Sequence, residues 1–494
     1  MKAKFFFAGG CALVVNAALV VTSPAQSATN LPPAPRRPSI IFILADDLGY
    51  GDLSCYGQTK FATPNLDKMA GEGIRCTSFY AGSTVCSPSR AAMMLGKHTG
   101  HLNIRGNTAN TTLLPDEVTV AQLLKGAGYR TGLIGKWGLV TSESQPGVPQ
   151  KKGFDEFVGY LNNAEAHDNY PEFLWRYDPP NAARAEAFEG RMQFSENAGA
   201  RKGLYVPDLC TKAALNFVNN NKPDHVNRYR PFFLSLHYTI PHANNEEGRR
   251  TGNGMQVPTD APYSGESWPA AEKNKAAMIA RMDADIGKLF AKLKELKLDD
   301  NTVVFFASDN GPHQEGGVDP KFFKSSGPFR GTKRDLSEGG IRVPMIVRWP
   351  AQIKAGQVSD FAWAMWDFLP TAAGIAMTDA PKGLDGISVL PLLTTGTQTN
   401  QHECLYWEFH ERGFQQAVRA GDWKAIRPQA GEKIELYDLK SDPGEKQNVA
   451  EKNPEVVAKL EALLKRERTE SDRWPMRPPP EKGKEKKKGG ADAK

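Results

Sequence analysis

Apolar runs and polar interruptions alternate along most of the chain. Ser39–Ala45 reads Ser-Ile-Ile-Phe-Ile-Leu-Ala. A continuous aliphatic run of that length predicts a strand buried on both faces. Residues 129–134, 232–238, 302–308 and 343–347 read the same way. Helical spacing covers residues 63–72, introduced by Thr63-Pro64, and opens again at 89–95. It returns at 118–126, where Gly128 stops it, and over the long stretch 270–296. Strands alternating with helices predict an α/β fold with a mostly parallel or mixed sheet flanked by helices. After about residue 400 the texture changes. Short strands are expected at 404–409, 416–419, 423–427 and 434–436, closed by a helix over 454–468. That pattern predicts a small C-terminal antiparallel sheet plus one helix. No internal repeat is visible.

The two ends break this pattern. Lys2 and Lys4 precede an apolar stretch from Phe5 to Val21, and Ala25-Gln26-Ser27 offers small residues for cleavage. This is the layout of a secretory signal over residues 1–28, with an uncleaved anchor as the alternative. The far end, 475–494, is mostly Pro, Lys, Glu and Gly, with no Leu, Ile, Val or aromatic residue. Such a segment cannot bury a core, and a disordered basic tail is expected. The remaining boundaries are a large α/β domain over 38–400 and a β-rich subdomain over 401–474.

Composition adds little until the charge is located. The chain has 494 residues, 40% hydrophobic and 24% charged, with a net charge of +6. These values exclude a fibrous or wholly disordered chain. The tail carries seven Lys/Arg against three Asp/Glu, and the leader carries two lysines. Leader and tail thus account for the entire excess, and residues 29–474 sum to zero. The body has no global basic field, so nucleic acid is not an expected partner. Cys55, Cys76, Cys210 and Cys404 lack metal-type spacing. In an exported chain they are either disulfide partners, in any of three pairings, or buried free thiols.

The chemistry gathers where the predicted strands end. The first strand runs into Asp46-Asp47, and the strand at 302–308 runs into Asp309-Asn310-Gly311. Open α/β sheets build sites at the carboxyl ends of their strands. Three carboxylates and an amide make an all-oxygen set suited to Ca²⁺ or Mg²⁺ rather than Zn²⁺. Either pair alone is equally a set of turn caps.

Cys86-Ser87-Pro88-Ser89-Arg90 changes the weight of these pairs. The pentapeptide resembles the maturation signature of the formylglycine-dependent sulfatases, in which the cysteine is oxidised to formylglycine. Further similarity lies at 43–51, Gly135-Lys136-Trp137, Pro241-His242, 308–311 and 331–344. It spans about residues 38–468. The resemblance implies an alkaline phosphatase-like fold and calcium-dependent hydrolysis of sulfate esters. It assigns Asp46, Asp47, Asp309 and Asn310 to calcium, Cys86 to the nucleophile, and Arg90 to holding that nucleophile and the metal cluster. Lys136, His242 and Lys333 would grip the sulfate oxygens and assist the leaving group. A formylglycine-generating maturation enzyme is an implied partner, and export to the periplasm or medium an implied location, with no stable membrane span. One position departs from the pattern. Many relatives carry His two residues after the matched lysine, where this chain has Gly138. That leaves the base for sulfate elimination unassigned.

Substrate contacts are expected from His101 and Arg105, which follow the nucleophile helix, and from His167, His313 and His410. Trp175, Tyr177 and Trp407 are candidates for stacking on a sugar face. Together these favour a sulfated carbohydrate over an aryl or steroid sulfate. Two other readings are a phosphonate or phosphodiester hydrolase of the same superfamily, and a catalytically silent calcium-dependent glycan-binding protein.

Overall fold

The structure, a computed structural model, describes residues 37–179, 188–222 and 230–477. The leader expected at 1–28 lies outside them, as does all but the first three residues of the expected tail. The apolar run Ser39–Ala45 sits at the centre of a ten-stranded mixed sheet, with every residue buried. Its neighbours Phe232–His237 and Thr302–Ser308 both pair with it in parallel. Arg130–Lys136 pairs in parallel with Phe232–His237 on one side and with Glu156–Tyr160 on the other. These five strands therefore point the same way. Antiparallel strands flank this parallel block: Met345–Arg348 beside Thr302–Ser308, and Phe173–Asp178 beside Glu156–Tyr160, with further short strands outside each. Continuous β-branched and aromatic runs suit the middle of such a sheet because both of its faces are covered.

Two apolar layers cover it. Alternate residues of the central strand face opposite cores, with Ile40, Phe42 and Leu44 in one and Ile41, Ile43 and Ala45 in the other. The first core contains the helices Cys86–Leu95 and Phe368–Ile375. The second contains the buried face of Ala270–Glu295 and the helix Val206–Asn220.

The C-terminal expectation also holds in kind. Leu405–Phe409, Gln415–Ala420, Trp423–Arg427 and Glu435–Asp438 form a four-stranded antiparallel meander. The helix Pro454–Arg466 packs Leu460, Leu463 and Leu464 against it. Two boundaries move in ways that matter. The helix expected from 89 begins at Cys86, because Pro88 falls in the first turn, where its missing N–H has no intrahelical partner to lose. The strand expected to stop at 134 continues to Lys136, paired with Tyr160. Past the expected end of the body, Phe414 N still donates to Arg477 O, at 3.2 Å. Cys55, Cys76, Cys210 and Cys404 are all unpaired thiols.

Candidate active site

Four neighbouring parallel strands deliver their C-terminal residues to one place. Ser39–Ala45 leads into Asp46 and Asp47, and Thr302–Ser308 into Asp309 and Asn310. Arg130–Lys136 ends on Lys136, and Phe232–His237 leads to His242. Lys333 arrives from the loop that precedes Met345–Arg348. All seven side chains, with Cys86 and Arg90, are buried. The sequence-derived catalytic and metal sets are thus brought together.

Arg90 organises the base of the site. Its Nη2 and Nε donate to Asp309 Oδ2 at 2.8 and 3.2 Å, and Nη2 lies 3.5 Å from Asp46 Oδ2. Its Nη1 donates to Lys136 O at 2.9 Å. Lys136 Nζ donates to Asp46 Oδ2 at 2.6 Å, and Lys333 Nζ to Asp47 Oδ2 at 2.8 Å. His242 Nδ1 is 2.7 Å from Ala243 O, while its Nε2 is 3.1 Å from Lys333 Nζ and 3.5 Å from Asp47 Oδ2. Asp47 adopts φ 65, a left-handed conformation costly for a non-glycine residue. Its backbone N–H donates to Asp309 Oδ1 at 3.1 Å, and Asn310 Nδ2 donates to its Oδ1 at 2.6 Å.

Burial and charge compete in this cluster. Burial beside Asp46 pushes the Asp309 carboxyl up to about 7 despite Arg90. Burial also opposes charge on Asp46, but Lys136 and its other cationic neighbours hold that carboxyl well below its ordinary value. Burial and the Asp46 charge push the Cys86 thiol well up. A thiol kept protonated is a weak nucleophile. Burial and Arg90 push His237 down to about 3, so it is a neutral imidazole beneath Arg90, 2.9 Å from Lys136 O and 2.7 Å from Ser235 Oγ. The sequence reading missed His237. It lies on a strand in an apolar run, and only the register of that strand reveals it.

The oxygen donors fit a hard divalent cation. Asp46, Asp47 and Asp309 bring three carboxylates together, and Asn310 Oδ1 is buried without a hydrogen-bond donor among the described residues. A buried acceptor left unpaired is rare unless a ligand or ion completes it. The acidic cluster includes Asp46 and Asp47 with Cys86 and His242 beside them.

Above these groups opens a cavity of about 600 Å³, lined by Cys86, Lys136, His242 and Lys333 at its floor. Its walls carry Asn107, Thr108, Thr111, Thr141, Asn162, Asn163, His167, Asn245, Arg334 and Glu411. Of the five expected substrate contacts, only His167 lines it. Its ring stacks on His242 with centroids 4.9 Å apart, and its Nδ1 is 3.2 Å from Glu246 Oε2. His313 sits behind His242, its Nε2 3.1 Å from Pro241 O. Arg105 and His410 are drawn instead to the buried Glu408, each at 2.8 Å. His101 pairs with Asp385 at 2.8 Å. The aromatic expectation is also corrected. Trp407 is core, its Nε1 donating to Ala81 O, and neither Trp175 nor Tyr177 lines the cavity. Asn162 and Asn163 follow Glu156–Tyr160, a strand the sequence did not reveal, so the strand-end rule could not point to them.

A mixed α/β sheet with an acidic, cation-clamped pocket at its parallel strand ends defines a hydrolase built for an anionic ester. Comparison with known proteins makes the class specific. Residues 38–378 match the Sulfatase family model, and residues 330–470 match that of the N-sulphoglucosamine sulphohydrolase C-terminal region. The chain is 30% identical over 505 residues to the N-acetylgalactosamine-6-O-sulfatase of Bacteroides thetaiotaomicron, covering 88% of this chain and 94% of that relative. It is 33% identical to human arylsulfatase A, covering 87% of each. Among solved structures, Ps i-CgsB in complex with k-i-k-neocarrahexaose superposes with a TM-score of 0.73 at 26% identity, covering 89% of this chain and 95% of that one. The PsFucS1 sulfatase from Pseudoalteromonas sp. gives 0.68 at 25% identity, covering 88% and 92%. The chain belongs to the sulfatase family and is a sulfuric ester hydrolase with the alkaline phosphatase-like fold.

Proposed function

We propose that this enzyme hydrolyses sulfate esters on carbohydrates, with calcium held by Asp46, Asp47, Asp309 and Asn310 and a formylglycine made from Cys86. One observation carries the reading. Cys86, Lys136, His242 and Lys333 line one cavity, and the buried carboxylates of Asp46, Asp47 and Asp309 are bonded to Lys136, Lys333 and Arg90. When bound, calcium supplies positive charge against the sulfate oxygens, and formylglycine supplies a hydrated aldehyde as the nucleophile.

This chain's own residues do the remaining work. Asp46, Asp47 and Asp309 formally cancel Arg90, Lys136 and Lys333, so the site is neutral until a divalent cation arrives. An anionic ester is therefore favoured only after the metal. Arg90 keeps Asp309 and Asp46 in place from below. Lys136 and Lys333, lining the floor, present ammonium groups to the sulfate oxygens. His242 Nδ1–H donates to Ala243 O, so Nε2 is an acceptor, and the proton for the departing oxygen would come from the Lys333 ammonium, directly or relayed through Nε2. Lys333 Nζ donates to that same Nε2.

The walls support a sugar. They offer neutral amides and hydroxyls from Asn107, Thr108, Thr111, Thr141, Asn162 and Asn245, and among the described residues the only rings lining the cavity are imidazoles. The names of the relatives point the same way: one acts on N-acetylgalactosamine-6-O-sulfate, and one related structure holds D-glucosamine-2-N,6-O-disulfate. The same reading places maturation by a formylglycine-generating enzyme and export through the leader upstream of function. It keeps 38–400 as the catalytic region and 401–474 as its β-rich companion. No described helix is long and apolar enough to cross a membrane.

Peptide mass spectrometry across Cys86, on protein from its native host, tests the nucleophile. An unmodified thiol there overturns it. Sulfate release from sulfated monosaccharides is then compared with a nitrophenyl sulfate and a phosphodiester. Release from sugars is expected to be fastest, and preference for the phosphodiester overturns the sulfate-ester reading.

A further inference from the structure

We infer that Asn163 is a positioning residue for the side chain at position 86, and that Gly138 is the gap that admits it. The inference rests on the reading that residue 86 becomes a hydrated aldehyde. It starts from the N-terminus of the nucleophile helix. Val85, at the cap, makes no side-chain capping bond. The exposed N–H of Ser87 is met instead by Asn107 Oδ1, at 3.0 Å, from a loop twenty residues on. Ser87 Oγ donates to Gly138 O at 2.8 Å. Asn163 Nδ2 closes the network, donating to Ser87 Oγ at 2.6 Å and to Asn107 Oδ1 at 3.2 Å.

Both hydrogens of the Asn163 amide are thereby used, which fixes its orientation. Its Oδ1 faces the other way. That atom is buried and accepts no hydrogen bond among the described residues. A Cβ on Gly138 would lie 2.7 Å from it and 3.4 Å from Arg90 Cδ. The oxygen therefore lies over Gly138, beside the Arg90 side chain, in the wall of the cavity that Cys86, Gly138 and Asn163 all line. Gly138 has φ +73, so a side chain there meets backbone strain as well as the amide.

What completes Asn163 Oδ1 must be a donor. Ionised sulfate oxygens only accept, so the ester's sulfate is excluded from that contact. A thiol is a weak donor, whereas an aldehyde hydrate carries two O–H groups. Asn163 Oδ1 holds the hydroxyl that is not attacking sulfur. An amide oxygen takes no proton, so Asn163 orients this hydroxyl and another group or water removes its proton. In this chain the position two residues after Lys136 carries no side chain, and an amide from the loop after Glu156–Tyr160 occupies the space.

Two measurements test this. The first uses full-length protein made without conversion of Cys86, so it does not depend on sulfatase activity. Gly138→Ala is expected to lower the melting temperature, and Gly138→Ala with Asn163→Ala to recover most of that loss. Additive losses would overturn the gap. The second uses enzyme whose conversion has been checked by peptide mass. Asn163→Ala is expected to lower kcat by about tenfold or more with KM within about twofold. The loss should be equal for a nitrophenyl sulfate and a sulfated sugar. A loss confined to KM and to the sugar would assign the oxygen to a substrate hydroxyl instead, and an unchanged kcat would remove the role altogether. A converted wild-type enzyme that releases no sulfate would sink the functional reading, with the stability cycle still readable.

Discussion

Two of the buried charge clusters among the described residues differ in what is left over. One is the active site. The other joins the C-terminal sheet to the catalytic body. There Lys424 Nζ lies 2.8 Å from Glu338 Oε1 and 2.9 Å from Glu445 Oε1. Glu338 Oε2 accepts from Tyr80 Oη at 2.7 Å and from Arg342 Nη1 at 3.1 Å. Glu445 Oε2 accepts the backbone N–H of Glu338 at 2.7 Å. Three of the four carboxylate oxygens accept a hydrogen bond, and the fourth, Glu445 Oε1, has only its ion pair with Lys424. Burial opposes charge on Glu338, but Lys424 and Arg342 hold it down at about 2. In the active site the same kinds of group leave Asn310 Oδ1 and Asn163 Oδ1 with nothing, and leave Asp309 up at about 7. Buried charge alone therefore does not mark function. What sets the active site apart is two unpaired amide oxygens beside three carboxylates at an open cavity.

The sharpest way to break this contrast is to remove one group from each cluster. Cys86→Ala should abolish turnover, a fall of about 10⁴-fold or more, while moving the melting temperature by no more than about 3 °C. Sulfate release that survived the change would refute the nucleophile. Lys424→Met should do the reverse. It leaves two buried carboxylates facing each other, a loss of about 3–5 kcal/mol of stability, with kcat of the folded fraction unchanged. Denaturant melts beside kinetics on the same preparation check both. Calcium gives a third, smaller effect. At a hundred times its dissociation constant it should add about 2.7 kcal/mol of stability. Chelation followed by differential scanning calorimetry should remove that increment. A melting temperature indifferent to chelator would contradict the metal assignment.

The legible part of the molecule was the part written in contiguous runs. Ser39–Ala45 and Thr302–Ser308 were readable to the residue because a doubly covered strand needs unbroken apolar sequence. Asp46, Asp47, Asp309 and Asn310 followed as strand-end residues. The outlying strands Glu156–Tyr160 and Phe173–Asp178 were not readable, since their burial is partial and their composition mixed. Nor was the helix Val206–Asn220, which opens Val-Pro and carries seven buried positions among polar ones. Within the site, proximity in sequence misled. Arg105 and His410 lie near pocket residues along the chain, but buried Glu408 draws both away. Asn107, Gly138 and Asn163 come from three separate loops, and no spacing rule links them before the chain is folded.

The smallest effect tests the same contrast from inside the structural cluster. A satisfied buried ion pair adds little beyond what packed apolar groups would give, because desolvation offsets most of its attraction. What is costly is one partner without the other. Burial and the Glu338 charge push the Glu445 carboxyl up, against Lys424. Once Lys424 is gone, Glu445 is the group with least reason to stay charged. Glu338 still has Tyr80 and Arg342. Adding Glu445→Leu to Lys424→Met should therefore restore about 1–2 kcal/mol relative to the single variant. The corresponding step in the active site, Lys136→Met with Asp46→Asn, should restore no turnover, because the proposed roles of Lys136 toward sulfate and of Asp46 toward calcium are lost even though their mutual ion pair is removed cleanly. A denaturant-melt double-mutant cycle reads the first, and sulfate release reads the second. If removing Glu445 deepened the loss instead, the cluster would not be the self-contained ion network its geometry describes.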